Sequence, residues 1–178
     1  GGKPNSNDTY RPERAIPSKK RVIIFSPHPD DDVISMGGTF SRLVSQGHEV
    51  HVAYQTSGNI AVNNSDVLKF IEVYSETSSE FKKKFKNLIN LLKNNNEILE
   101  NSEVRKIASI IREKESLAAT RFVGIPDDNV HFLKLPFYET GTVKKSSPTE
   151  IDKKIMSDII LKIKPHQIYA AGDLADPH

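Results

Sequence analysis

The 178-residue chain contains no cysteine. Disulfides, thiol catalysis and cysteine-based metal sites are therefore excluded, and any metal must be held by His, Asp or Glu. The same absence suits a reducing, cytoplasmic compartment. No run approaches the roughly 18 apolar residues of a membrane helix, so no bilayer span or membrane partner is expected. Charge of one sign is lacking too. The 25 basic residues nearly balance the 23 acidic ones, for a net charge of +2, which gives no general reason to expect nucleic acid or anionic lipid as a partner. The Lys82, Lys83, Lys84 and Lys86 cluster reads as the solvated face of a helix. Also missing are an internal repeat, a Gly-rich phosphate loop, an initiator Met and the apolar core of a signal peptide. Residues 1–20, opening Gly1-Gly2-Lys3-Pro4, read as a linker or arm. Residues 21–178 read as one domain that is incomplete at its C-terminus, because the sequence halts at Asp176-Pro177-His178 straight after a strand-like run.

What is present alternates between strand and helix. Arg21-Val22-Ile23-Ile24-Phe25 has buried-strand character, and the prolines of Ser26-Pro27-His28-Pro29-Asp30 stop it in a loop. Apolar residues from Val33 to Gln46 then recur at helical spacing, with Gly47 placed as a C-cap. Residues 48–55 alternate as a second strand and end at the turn signal Thr56-Ser57-Gly58-Asn59. This βαβ unit implies a parallel sheet with right-handed crossovers. Helical patterns over 65–97 and 101–121 follow. A third strand is expected at 130–135, a helix at 148–163 and a fourth strand at 167–171.

Ligands of open α/β sheets bind beyond the carboxyl ends of the strands, which directs attention to loops 26–32, 56–64, 136–142 and 172–178. The first packs an imidazole and three carboxylates into His28-Pro29-Asp30-Asp31-Asp32. Pro29 restricts His28 to extended geometry. His28 and Asp31, three apart across the turn, can then face one point as two ligands of a zinc-type site. Asp30 beside them could accept a proton from water. Two other readings stand: a plain turn in which Asp31 or Asp32 caps the next helix, and a carboxylate cluster holding Mg²⁺ for phosphoryl chemistry. Gly37-Gly38 reads as small residues allowing close packing. His48, His51, His131 and His166 lie away from the strand ends and read as structural or solvated. Tyr138 and Glu139 sit in a strand-end loop, either lining a pocket or packing its rim.

The segment Ser26-Pro27-His28-Pro29-Asp30-Asp31-Asp32 after a first apolar strand resembles the A-H-P-D-D-E signature of the PIG-L/LmbE family of zinc-dependent N-deacetylases. Gly37-Gly38, Thr56-Ser57-Gly58, and Arg112-x-x-Glu115-x-x-x-Ala119 followed by Gly124 extend the likeness over residues 21–178. Residues 27–38 and 135–141 are more similar still to the PIG-L-type domain that some bacterial proteins carry after a glucosamine-6-phosphate deaminase-like domain.

The resemblance implies a Rossmann-like, mostly parallel sheet with helices on both faces, and removal of an N-acetyl group from an N-acetylglucosamine-type substrate. It implies Zn²⁺ held by His28 and Asp31, with Asp30 as general base. Asp32 stands where the family usually has Glu. The family's H-x-x-H motif corresponds to Ala175-Asp176-Pro177-His178. His178 is then either the first His, which stabilises the oxyanion while the ligand lies beyond the chain, or itself the ligand; the resemblance favours the former. Arg112 is expected to contact substrate or the active-site acids, or else to pair with Glu115 on the helix surface. Tyr138 is expected to line the sugar pocket. A fused deaminase-like domain is an expected partner. A homo-oligomer is another, since a last strand without its following helix leaves sheet surface open to another chain. A catalytically silent, sugar-binding accessory domain is the alternative function.

Overall fold

The computed structural model describes residues 18–94, 101–140 and 144–170. Its centre is a four-stranded parallel sheet of β1 (Arg21–Ser26), β2 (Glu49–Tyr54), β3 (Val130–Phe132) and β4 (Gln167–Ala170), in the order β3-β2-β1-β4. The helices are α1 (Asp31–Ser45), α2 (Asn64–Thr77), α3 (Ser79–Asn94), α4 (Ser102–Phe122) and α5 (Glu150–Ile163). The expected α/β class with a parallel sheet is what forms. The chain builds outward from β1 through β2 to β3, then returns to place β4 on the other side of β1. That makes the carboxyl end of β1 a topological switch point, where a crevice opens in such sheets.

β1 is apolar almost throughout because it is covered on both faces. Val22, Ile24, Val52 and Tyr54 pack against Phe40 and Leu43 of α1 and against Ile125. Ile23, Phe25 and Ala53 pack on the opposite face against Ile159 and Ile163 of α5. Helices thus cover both faces, as the family resemblance implies. A second core forms beside the sheet, where α2, α3 and α4 bury Val67, Ile71, Leu88, Leu92, Val104, Ala108 and Ile111 together. Lys82, Lys83, Lys84 and Lys86 of α3 are all exposed, as a solvated face requires.

Three readings need correction. The helical stretch 65–97 is two helices, because Ser78 adopts an extended conformation (φ −152°, ψ 125°) that breaks the ladder; residues 95–100 lie outside the described residues. The third strand ends at Phe132 rather than 135: Lys134 takes φ 48°, which no strand tolerates, although Leu133 and Leu135 still donate to the Tyr54 and Gln55 carbonyls. Gly37 and Gly38 do not serve close packing, since an added Cβ at either would meet nothing within 4 Å among the described residues. Among those residues no helix is long and apolar enough to cross a membrane.

Candidate functional site

The loop after β1 is fixed by its own backbone. The Pro27 carbonyl accepts from both the amide (3.1 Å) and the hydroxyl (2.7 Å) of Thr56. The His28 carbonyl accepts from Ser26 Oγ (2.6 Å) and the Asp30 amide (2.8 Å), and the Pro29 carbonyl accepts from Arg112 Nη2 (3.3 Å) and Ser116 Oγ (3.4 Å). With three successive carbonyls engaged, the loop has few ways to relax. Gly58 closes the other side. It sits at φ 61°, and a Cβ there would come 2.7 Å from Pro29 Cδ, so both the left-handed backbone and the close approach demand glycine.

On this frame the three consecutive aspartates go to three different places. Asp31 Oδ2 turns back to accept from the His28 amide at 2.8 Å and lies 3.2 Å from His28 Nδ1. Asp30, at the N-cap of α1, makes no capping bond; its Oδ2 accepts from Arg112 Nη2 at 2.9 Å. Asp32 is buried beneath the loop, where its Oδ2 accepts from the Tyr54 hydroxyl at 2.9 Å and its amide donates to Ser26 Oγ at 3.0 Å. Burial pushes the Asp32 carboxyl above the usual carboxylate range, while the bonds from Tyr54 and Ser26 pull it back. Tyr54 is held protonated in turn, first by burial and then by the Asp32 charge. The helix-cap reading is met only in part: Asp31 and Asp32 form the acidic first turn of α1, but each also holds the loop through the contacts just described.

Arg112 satisfies both alternatives at once, reaching Asp30 with Nη2 and Glu115 Oε2 with Nη1 at 2.9 Å. Its Nε is buried with no hydrogen-bond partner among the described residues, beside Gly58. Tyr138 is buried and meets the His28 ring edge to face, with centroids 5.7 Å apart. Burial and the neighbouring Glu139 raise its hydroxyl pKa, partly offset by Arg112. Lys145 Nζ stands over the Tyr138 ring, 3.6 Å from its centroid. Glu139 bridges two strand-end loops by accepting from the Ser57 amide (3.1 Å) and Asn59 Nδ2 (3.3 Å). Asp152 anchors the same wall from α5, accepting from the Phe137 amide at 3.0 Å and from Thr149.

The structure thus brings His28, Asp30, Asp31, Arg112 and Tyr138 to one place; His178 lies outside the described residues. Tyr54, Ser116 and Lys145 join the site although no motif announces them, whereas Ser26 opens the segment that carries the family likeness. Among the described residues no three His, Cys, Asp or Glu side chains gather around a point. His28 and Asp31 do converge, and an imidazole nitrogen with a carboxylate oxygen is a donor pair that suits zinc as part of a larger ligand set.

Residues 23–178 match the family model described as GlcNAc-PI de-N-acetylase, PIG-L. The chain is 50% identical over 187 residues to a protein of Bacteroides thetaiotaomicron named as glucosamine-6-phosphate deaminase-like, an alignment covering 100% of this chain and 28% of that relative. It is 27% identical over 161 residues to a diacetylchitobiose deacetylase of Thermococcus kodakarensis, covering 86% of this chain and 59% of the relative. The chain therefore spans less than two thirds of the length of either relative, and its sheet, its acidic loop and its match over residues 23–178 place it in the PIG-L family.

Proposed function

We propose that this chain is a hydrolase domain that removes the N-acetyl group from an amino sugar of the N-acetylglucosamine type. The observation that carries the reading is the divergence of Asp30 from Asp31 at the switch point: one carboxylate lies with the imidazole of His28, the other is held apart by Arg112. A ligand pair and a separate base are what metal-assisted amide hydrolysis needs. The diacetylchitobiose deacetylase relative supports the reaction class.

In this reading His28 and Asp31 would hold a zinc ion, which when bound would polarise the acetyl carbonyl and acidify the attacking water. Arg112 grips Asp30 through Oδ2, and the Asp30 carboxylate would take the proton from water. The same carboxyl then delivers that proton to the amide nitrogen, so acetate and the free amine leave. Tyr138 wedges the His28 ring in orientation. His178, as the oxyanion-stabilising histidine that the resemblance favours or as a further zinc ligand, would complete the site. The loops tied by Glu139 would wall the sugar, and Tyr138, buried behind His28, would back that wall.

The absence of cysteine supports work in the cytoplasm, and the 28% coverage of the Bacteroides relative supports a fused partner such as a deaminase-like domain. The test is release of acetate from N-acetylglucosamine and its oligosaccharides with zinc added. Turnover lost in Asp30→Asn supports the assignment. No turnover of any acetylated amino sugar by the protein in its full native length would favour the silent accessory domain instead.

A further inference from the structure

Away from the loop after β1, His51 of β2 and His131 of β3 meet although 80 residues separate them: His51 Nδ1 lies 3.1 Å from His131 Nε2, with the ring planes 16° apart. Glu49 Oε1 stands 3.3 Å from the far nitrogen, His51 Nε2. One arrangement satisfies all three groups. His51 donates Nε2–H to Glu49, which leaves Nδ1 as an acceptor, and His131 donates Nε2–H to it. The pair faces a pocket of about 410 Å³ whose wall includes Asp128, Arg21 and Lys162.

We propose that His51 and His131 form a second divalent transition-metal site, separate from His28 and Asp31, that takes a nitrogen-preferring ion such as Ni²⁺, Cu²⁺ or Zn²⁺. Two nitrogens at about 2.0–2.1 Å from a tetrahedral ion stand about 3.3 Å apart, and in a square-planar one about 2.9 Å. The observed 3.1 Å lies between them. A carboxylate behind a histidine is the arrangement that fixes ring orientation and tautomer at metal sites, and Glu49 occupies that place. The cation replaces the bridging proton, which moves to His131 Nδ1, so no net proton is released. Arg21 does not compete for the site, since its guanidinium donates to the Ile163 and Lys164 carbonyls. Lys162 opposes a cation, and Glu49 and Asp128 offset it. The protein supplies two ligands, and water from the pocket fills the rest.

The experiment uses the tag-free chain carrying His28→Ala and Asp31→Asn, titrated calorimetrically with NiCl₂. One Ni²⁺ per chain is expected, weakened about 10- to 100-fold by Glu49→Gln and lost with His131→Gln. Electron paramagnetic resonance of the Cu²⁺ form of the same His28→Ala, Asp31→Asn chain reads the ligands directly, without relying on the folding of further variants. Coupling to two imidazole nitrogens supports the site. Failure of that chain to bind either ion, undiminished binding in a folded His131→Gln variant, or coupling to fewer than two nitrogens overturns it.

Discussion

Arg112 Nη2 lies 2.9 Å from Asp30 Oδ2 across 82 residues of sequence. The pair joins the loop after β1 to the middle of α4, and Arg112 also holds the Pro29 carbonyl, so one guanidinium fixes both the Asp30 carboxylate and the backbone that carries it. Arg112 is largely buried at 17% side-chain exposure while Asp30 is 44% exposed. The arginine is therefore the fixed member and the aspartate the positioned one.

Replacing Arg112 should accordingly impair positioning more than folding. Arg112→Lys keeps the charge but not the fork that spans Asp30 and Glu115. We expect kcat for acetate release to fall about 10- to 100-fold, with metal content unchanged. Full activity in the lysine variant would mean that charge alone is needed.

Asp30 and Asp31 should separate by readout. Asp30→Asn should retain zinc, measured by elemental analysis, and lose about 10²–10⁴-fold in turnover. Asp31→Asn should release zinc. Zinc lost from the first variant and kept by the second would exchange the two roles.

Gly58→Ala should destabilise the fold by about 1–3 kcal/mol, because it adds strain at φ 61° to a contact with the Pro29 ring. Urea unfolding measures the loss. A change within error would show that the Pro29 loop yields more readily than its three engaged carbonyls suggest.

His131 gives a pH dependence whose sign is fixed. Burial first, then His51 and Lys162, push its pKa from an ordinary value near 6.5 down to about 4. Between these values the unfolded chain binds more protons than the native one. Its contribution to stability is thus present above about pH 6.5 and is lost as pH falls toward 4. Urea midpoints in metal-free buffer at pH 7 and pH 5 should differ more for the parent than for His131→Gln. Equal differences would remove His131 as the source.

Much of this was legible in the residues. Apolar strand runs and a helical pattern separated by Pro and Gly put β1, α1 and β2 within one or two residues of their places, because the two strands bury nearly all their apolar positions and α1 buries Phe40 and Leu43 against them. The third strand was overextended since Leu133 and Leu135 are apolar for other reasons: Leu135 is buried in the loop that leads to Tyr138 rather than in the sheet. The helix break at Ser78 had no Pro or Gly to announce it.

The sequence by itself determined that an imidazole and three carboxylates would stand at the end of the first strand, since local apolar runs and two prolines suffice to end a strand there. Only the tertiary structure decided what each acid does. Successive residues entering a helix point about 100° apart, so Asp30, Asp31 and Asp32 must diverge: Asp30 and Asp32 find partners in other elements, Arg112 of α4 and Tyr54 of β2, while Asp31 turns back to His28 of its own loop. The meeting of His51 with His131 is likewise a consequence of strand register, which sets Ala53 opposite His131. Register is fixed by how two faces of a sheet are covered together, and no window of sequence contains it.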